Sequence, residues 1–89
     1  MVNYSQNNGD TIEDAIIVGA ENEDEGVKAE YEYISQKYGE QEKKWKSESQ
    51  ALLKDNKTGK RYDKIKFKLL ETGEEKEIYF DISSFFGKE

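Results

Sequence analysis

The acidic residues between positions 21 and 32 have the spacing of a calcium-binding loop. Counted from the first of them, the side chains fall at the EF-hand positions 1, 3, 5, 6 and 12, where carboxylates and a glycine are needed to surround one ion. These residues are Glu21, Glu23, Glu25, Gly26 and Glu32. The first ligand is normally the shorter Asp, and a helical pattern already begins at Val27. We therefore prefer an acid-capped helix start over a cation site at residues 21–25.

Basic side chains form a second candidate site. Four of them lie in the predicted loop between two strands, where we look first for anion contact: Lys54, Lys57, Lys60 and Arg61, called here the basic loop. Lys64, Lys66 and Lys68 then alternate along the next strand like a nucleic-acid-binding stripe. Acids are predicted across the hairpin from this lysine face, so a solvated, neutralised surface is the preferred interpretation. A weak nucleic-acid or polyanion binder stays the alternative function.

The residue types used most often in catalysis are missing. The chain has no His and no Cys, which removes the commonest general base, the thiolate nucleophile and most metal ligands. Asp81 and Ser83 are close in sequence, but the serine follows a strand end, where turn formation explains it. We therefore expect no enzyme, no cofactor and no metal.

Composition limits the chain to one small domain. Its 89 residues carry a net charge of −6, with 34% hydrophobic, 38% charged and 12% aromatic residues. Residues 1–10 offer little to bury and are predicted to be a flexible N-terminus, followed by a single domain over residues 11–89. Neither a signal peptide nor an apolar run of membrane-spanning length is visible, so we expect a cytoplasmic protein without membrane contact.

One helix is predicted between the acidic residues and Gly39. Val27, Tyr31, Ile34 and Tyr38 recur with the helical period and are expected to form its buried stripe. Gly39 suits the position after the helix, where a left-handed residue is common. Upstream, Ala15–Val18 favours a buried strand, although Thr11 and Asp14 also fit a short helix start. Its place in the sheet cannot be derived from the sequence.

The second half predicts an antiparallel meander. A two-residue turn at Thr72-Gly73 pairs Phe67 with Ile78 and Ile65 with Phe80 on one face. On the other face it sets Lys68, Lys66 and Lys64 against Glu77, Tyr79 and Asp81. An earlier alternating strand runs from Trp45 to Leu53 and should share the apolar face through an odd-numbered loop with Gly59 left-handed. The expected fold is an α+β two-layer domain with one helix on an antiparallel sheet, in the order β-α-β-β-β.

The chain ends with two adjacent phenylalanines. Neighbouring residues of an extended chain point in opposite directions, so Phe85 and Phe86 cannot both be buried by one strand face. A turn at Ser83-Ser84 would place one of them in the core, and we favour Phe85. The other phenylalanine and Trp45 are candidate partner contacts, together with Phe85 itself should it lie outside.

Four stretches of this sequence resemble a known family. They are GVKAEYEYISQKYG, the tryptophan strand with QALL, RYDKIKFKL and YFDISSFFGK. The resemblance is to small bacterial proteins of unknown function that recur as short stand-alone chains, with a GVxAEYxY helix and a terminal YFDIxxFFGK motif. It covers residues 11–88 and implies a self-contained bacterial domain. It implies no activity, ligand or site residue.

The absence of catalytic residue types and the surplus of aromatics together favour a non-catalytic protein-interaction module. Its protein partner is unknown, and nucleic acid is the less favoured ligand. A small core often gains stability from association, so a homodimer through the strand near Trp45 or through the last strand is a further option.

Overall fold

The computed structural model describes residues 3–5 and 7–87 of the chain. The elements in this part are β1 (Asn3–Tyr4), β2 (Ile16–Gly19), α1 (Glu23–Tyr38), β3 (Trp45–Lys54), β4 (Arg61–Leu69) and β5 (Glu75–Asp81). The strands form one sheet in the order β1-β2-β5-β4-β3, and α1 packs on one of its faces. The predicted α+β fold is confirmed, with the short β1 added at one edge.

Strand β2 pairs with the last strand of the chain, β5. β2 runs parallel to β5, with Ile16 beside Phe80, while β3, β4 and β5 form the expected antiparallel meander. The sheet is therefore mixed. Because β5 lies between β2 and β4, it is an inner strand of the sheet, and this position opposes the option of a dimer through the last strand.

Helix α1 begins and ends where the sequence predicts. The side chain of Asn22 accepts a hydrogen bond from the backbone N–H of Glu25 at 2.9 Å, which caps the first turn. At the other end, Gly39 has a φ of 108° and its N–H bonds the carbonyl of Ser35. This positive φ explains why a glycine ends the helix here.

The buried side of α1 differs from the predicted stripe. Ile34 is buried, but Val27 is 42% exposed, so its assignment to the core is wrong. The buried residues of the helix are Gly26, Ala29, Glu30 and Ile34. The ring of Phe85 lies directly against Gly26, where a Cβ atom would overlap it. This contact turns the Gly26 side of the helix toward the core, in place of the predicted Val27 side.

The β4–β5 hairpin keeps its predicted faces but not its predicted register. Ile65 lies opposite Ile78, a shift of two residues from the expected pairing with Phe80. The two-residue turn is replaced by a four-residue loop at 70–73, closed by a 2.8 Å hydrogen bond from the N–H of Leu69 to the carbonyl of Glu74. Gly73 has a φ of 74° in this loop. A shift of two preserves the side on which each residue points, so the apolar face survives.

Strand β3 contains an irregularity that the alternation did not predict. Trp45 and Ser47 pair with Leu69 and Phe67, but a bulge between Ser47 and Ser49 then shifts the register by one residue. Beyond it, Leu53 lies opposite Tyr62, on the side of the sheet away from the helix. The expectation that Leu53 shares the face of Ile65 is therefore wrong. The loop to β4 spans residues 55–60, an even number, although Gly59 is left-handed as predicted, with a φ of 76°.

The core lies between α1 and the sheet. Its largest fully buried apolar side chains are Trp45, Phe67, Phe80, Phe85, Ile16, Ile34, Ile65 and Val18. Tyr4 of β1 packs at its margin and donates a hydrogen bond to the carbonyl of Ala29 at 2.8 Å. Of the predicted flexible segment 1–10, residues 1, 2 and 6 lie outside the described residues, and the flexibility of this segment stays a prediction. Within the described part, no helix is long and apolar enough to cross a membrane.

Candidate functional site

The acidic segment with calcium-loop spacing is mostly helical. Glu23, Glu25 and Glu32 all belong to α1, so they follow the helix surface and do not form a loop around one point. Gly26 is a packing residue under Phe85. Among residues 3–5 and 7–87, no three His, Cys, Asp or Glu side chains converge as a metal site would require. The interpretation as an acid-capped helix start agrees with this geometry.

The basic loop is held in shape by its own acid. Asp55 accepts a 2.9 Å hydrogen bond from the N–H of Lys57, and this bond is the main cause that lowers the pKa of Asp55. Lys54, Lys57 and Lys60 are exposed around it. The guanidinium of Arg61 instead lies 4.8 Å from the ring centre of Phe86, a cation–π contact. Three lysines of the basic loop thus remain as an exposed positive surface with a carboxylate inside it.

The lysine face of β4 is paired differently from the prediction. Lys64 lies opposite Tyr79, so the predicted pairing with Asp81 is wrong, while Lys66 and Lys68 lie opposite Glu77 and Glu75. The ammonium of Lys66 also lies 3.5 Å from the Glu75 carboxylate. The three lysines are all half-buried. An acid still accompanies two of them, which weakens the polyanion interpretation of this face.

The candidate partner contacts separate into core and rim. Phe85 is 2% exposed and Trp45 is fully buried, with its indole N–H donating to the carbonyl of Gly39 at 2.9 Å. Neither can touch a partner without unfolding, so their assignment as contact residues is wrong. Phe86 is half-buried against the core and under Arg61, as expected for the rim residue of the pair.

The Asp-Ile-Ser-Ser segment ties the chain end to the sheet. The hydroxyl of Ser84 donates to the carbonyl of Val18 at 2.7 Å, and that of Ser83 accepts from the N–H of Arg61 at 3.1 Å. Asp81 accepts from the N–H of Ser83 at 3.0 Å. These hydrogen bonds give both serines and the aspartate a structural role.

A buried carboxyl group is the feature that the sequence analysis missed. Glu30 on α1 has no exposed surface. Neither of its side-chain oxygens lies within hydrogen-bonding distance and angle of a donor or acceptor. Asp63 on β4 is 6% exposed and lies close enough to interact with it. Two acids therefore share the interface between the helix and the sheet.

This arrangement keeps a proton on Glu30. Burial raises the pKa of the Glu30 carboxyl from its ordinary 4.5 to about 10, and the hydrogen-bonding capacity and negative charge of Asp63 add to the rise. Desolvation penalises the charged form, while a carboxylate neighbour favours a neutral group that can share its proton. Glu30 is thus neutral at physiological pH.

A polar chain leads from Asp63 toward the surface. The amide N–H of Gln50 donates to the Asp63 carboxylate at 3.2 Å, and the hydroxyl of Tyr31 donates to the amide oxygen of Gln50 at 3.3 Å. Tyr31 is half-buried and its ring centre lies 6.0 Å from that of Trp45. The buried acids therefore lie beneath the contact between α1 and β3.

One spacing in the sequence could have indicated Glu30. It lies four residues after Gly26 and four before Ile34, so all three share one side of a helix. Because a glutamate is rarely fully buried without a partner, the apolar residues alone predict a buried stripe that leaves Glu30 out.

The outer edge of β3 is the largest open feature of the sheet. β3 is ten residues long and ends the strand order, whereas the opposite edge is the two-residue β1. Leu52 on this strand is 56% exposed, the most exposed large hydrophobic residue described. Strands at an edge present unpaired backbone N–H and C=O groups to which another chain can bind.

An exposed helix residue lies along the same edge. Tyr38 packs on Phe67 and Glu30 lies over Asp63, so the helix runs opposite to β3 along its length. Val27, 42% exposed, lies one turn before Tyr31, whose hydroxyl donates to the amide oxygen of Gln50 on β3. We call Val27, Tyr31 and Leu52 the edge patch.

Comparisons with known proteins found no match: no family model, no curated protein and no solved structure is similar to this chain. The family resemblance of the terminal motif thus stays an expectation.

Proposed function

We propose that this chain is a non-catalytic protein-interaction module whose contact surface is the outer edge of β3. The observation that carries the proposal is the combination of a ten-residue strand at the end of the sheet with Leu52 exposed to 56%. An added strand would satisfy the backbone groups of this edge, and its side chains would cover the edge patch.

The absence of a catalytic role is part of the same proposal. Glu30 is the group whose pKa is shifted most among the described residues, and groups of this kind often mark active sites. Here the carboxyl is fully buried under α1, and its neighbour Asp63 is nearly so. A substrate cannot reach either group, so we assign the pair to folding and not to chemistry.

Photo-crosslinking in the native host tests the contact surface. A photoreactive phenylalanine analogue replaces Leu52, and in the control chain it replaces Ile17, which is 47% exposed on β2. We expect a discrete adduct from position 52 and not from position 17, identified by mass spectrometry. Replacing the neighbouring Leu53 with Lys should weaken the adduct, since a lysine on an edge strand opposes pairing. Equal adducts from both positions, or none, would refute the proposal.

Polyanion binding through the basic loop is the second candidate. It is supported by the exposed Lys54, Lys57 and Lys60, but Asp55 lies among them and the net charge of the chain is −6. Like charges on the rest of the surface would oppose a polyanion, so we rank this function below strand pairing.

A further inference from the structure

The part of the β3 edge that can accept a strand is limited to its second half. The bulge between Ser47 and Ser49 distorts the strand at its start. From Ser49 to Leu53 the strand is regular and uncharged, and this segment lies between Glu48 on one side and Lys54 on the other. Both charged residues are exposed. A partner must therefore fit five uncharged residues that have an acid before them and a base after them.

We propose that the partner is a second copy of this chain, paired antiparallel through residues 49–53 about a two-fold axis at Ala51, with Glu48 and Lys54 at the two ends of the paired segment. The inference rests on the proposed use of the β3 edge and names its occupant. In this register Glu48 lies opposite Lys54 of the second copy, and the symmetry repeats the pair on the other side of the axis. A two-fold interface is self-complementary because each residue pair occurs twice.

The neighbouring registers are less favourable. Moving the axis to Gln50 places Lys46 opposite Lys54 of the other copy, so two like charges face each other at each end of the pairing. Moving it to Leu52, the next register on the other side, places Glu48 opposite Asn56 and Lys54 opposite Gln50, which removes both attractive pairs. An axis between two neighbouring residues would set side chains from opposite faces of the sheet against each other, so only registers centred on a residue are open to a two-fold pair. The charge pattern therefore selects the register about Ala51.

The same register accounts for the exposed leucine. Gln50 and Leu52 both point to the helix side of the sheet, since they pair with Ile65 and Asp63. A two-fold axis perpendicular to the sheet keeps both helices on one side. Leu52 would then lie beside Gln50 of the second copy, and the two edge patches would face each other across the axis. The pairing would join two sheets into one continuous sheet.

Charge exchange combined with mass measurement tests this pairing. Sedimentation analysis over a range of concentrations should show a dimer for the native chain. The substitutions Glu48→Lys and Lys54→Glu should each weaken self-association by about tenfold, because two attractive cross-strand pairs become repulsive. An equimolar mixture of the two variants should recover dimers, since every Lys then meets a Glu. The double exchange in one chain should also restore the dimer.

Matched controls change the same charges away from β3. Glu71→Lys and Lys57→Glu lie in exposed loops and should leave the dissociation constant unchanged. Recovery on mixing also proves that each variant is folded. A native chain that stays monomeric, or variants that dimerise as tightly as the native chain, would overturn the inference. An adduct from position 52 to a different protein would then still support the proposed function. The absence of any adduct would refute both the proposed function and the pairing with a second copy.

Discussion

The buried Glu30 makes the stability of this protein fall as pH rises. In the folded chain its pKa is about 10, against an ordinary 4.5 when unfolded. Between these values the unfolded state releases the proton that the folded state retains, so each pH unit favours unfolding by about 1.4 kcal/mol. The stabilising effect of the retained proton is complete below the unfolded pKa and is lost progressively as pH increases through this window.

The substitution Glu30→Gln removes this dependence. A glutamine has nearly the same shape as a protonated glutamate, and its N–H₂ group can donate to the Asp63 carboxylate. Because pH 7 lies roughly 2.5 units above the unfolded pKa and each unit contributes about 1.4 kcal/mol, the variant should be more stable by about 3.5 kcal/mol at pH 7. Near pH 4.5 the two proteins should be equally stable.

Urea unfolding at several pH values measures both effects. Trp45 is the single tryptophan and is fully buried, so its fluorescence reports the loss of the core. The control is Glu32→Gln, which removes one exposed carboxylate from the same helix and should keep the native pH dependence. If the stabilities of the native chain and of Glu30→Gln change in parallel with pH, the carboxyl is ionised in the fold and the reasoning is refuted.

Three further predictions concern the chain end and the basic loop. Phe85→Ala should lower the free energy of unfolding by about 3 kcal/mol or more in urea titrations, and Phe86→Ala by clearly less, because only Phe85 is fully enclosed. Gly26→Ala should destabilise by about 1–3 kcal/mol through overlap with the Phe85 ring, yet should stabilise by roughly 1 kcal/mol in the Phe85→Ala background, where helix propensity alone acts. An unchanged sign in the second background would contradict that contact. Any oligonucleotide binding by the basic loop should fall steeply with salt in fluorescence anisotropy, and a salt-independent affinity would dispose of it.

The sequence predicts the elements well because their ends carry local signals. Gly39 ends the helix through its positive φ, and alternation marks the strands of the meander. The hairpin register was wrong by two residues because Thr72-Gly73 fits a two-residue turn as well as the end of a four-residue loop. Both solutions keep the apolar face buried, so hydrophobic pattern alone cannot distinguish them.

The position of β2 depends on contacts that no local pattern contains. It pairs with β5 in parallel, and the hydroxyl of Ser84 bonds the carbonyl of Val18 across 66 positions of the chain. Phe85 fixes the same corner by packing on Gly26. Packing thus accounts for the terminal motif, which the sequence alone also allows as a contact surface.

The bulge in β3 and the buried acids belong to one structural arrangement. If β3 kept the alternation that starts at Trp45, Ala51 would point to the helix side and Gln50 away from it. The extra residue reverses this order, so Gln50 faces α1, donates to Asp63 and accepts from Tyr31. The reversal also turns Leu52 to the helix side, beyond the end of this polar chain, where it stays 56% exposed. The bulge, which the sequence pattern does not predict, therefore supplies a hydrogen-bond donor to the buried carboxyl of Asp63. It also leaves Leu52 exposed at the open edge of the sheet. In a chain whose strand lacked the bulge, Ala51 would take the place of Gln50 on the helix side, and Asp63 would lose the donor that makes its burial tolerable.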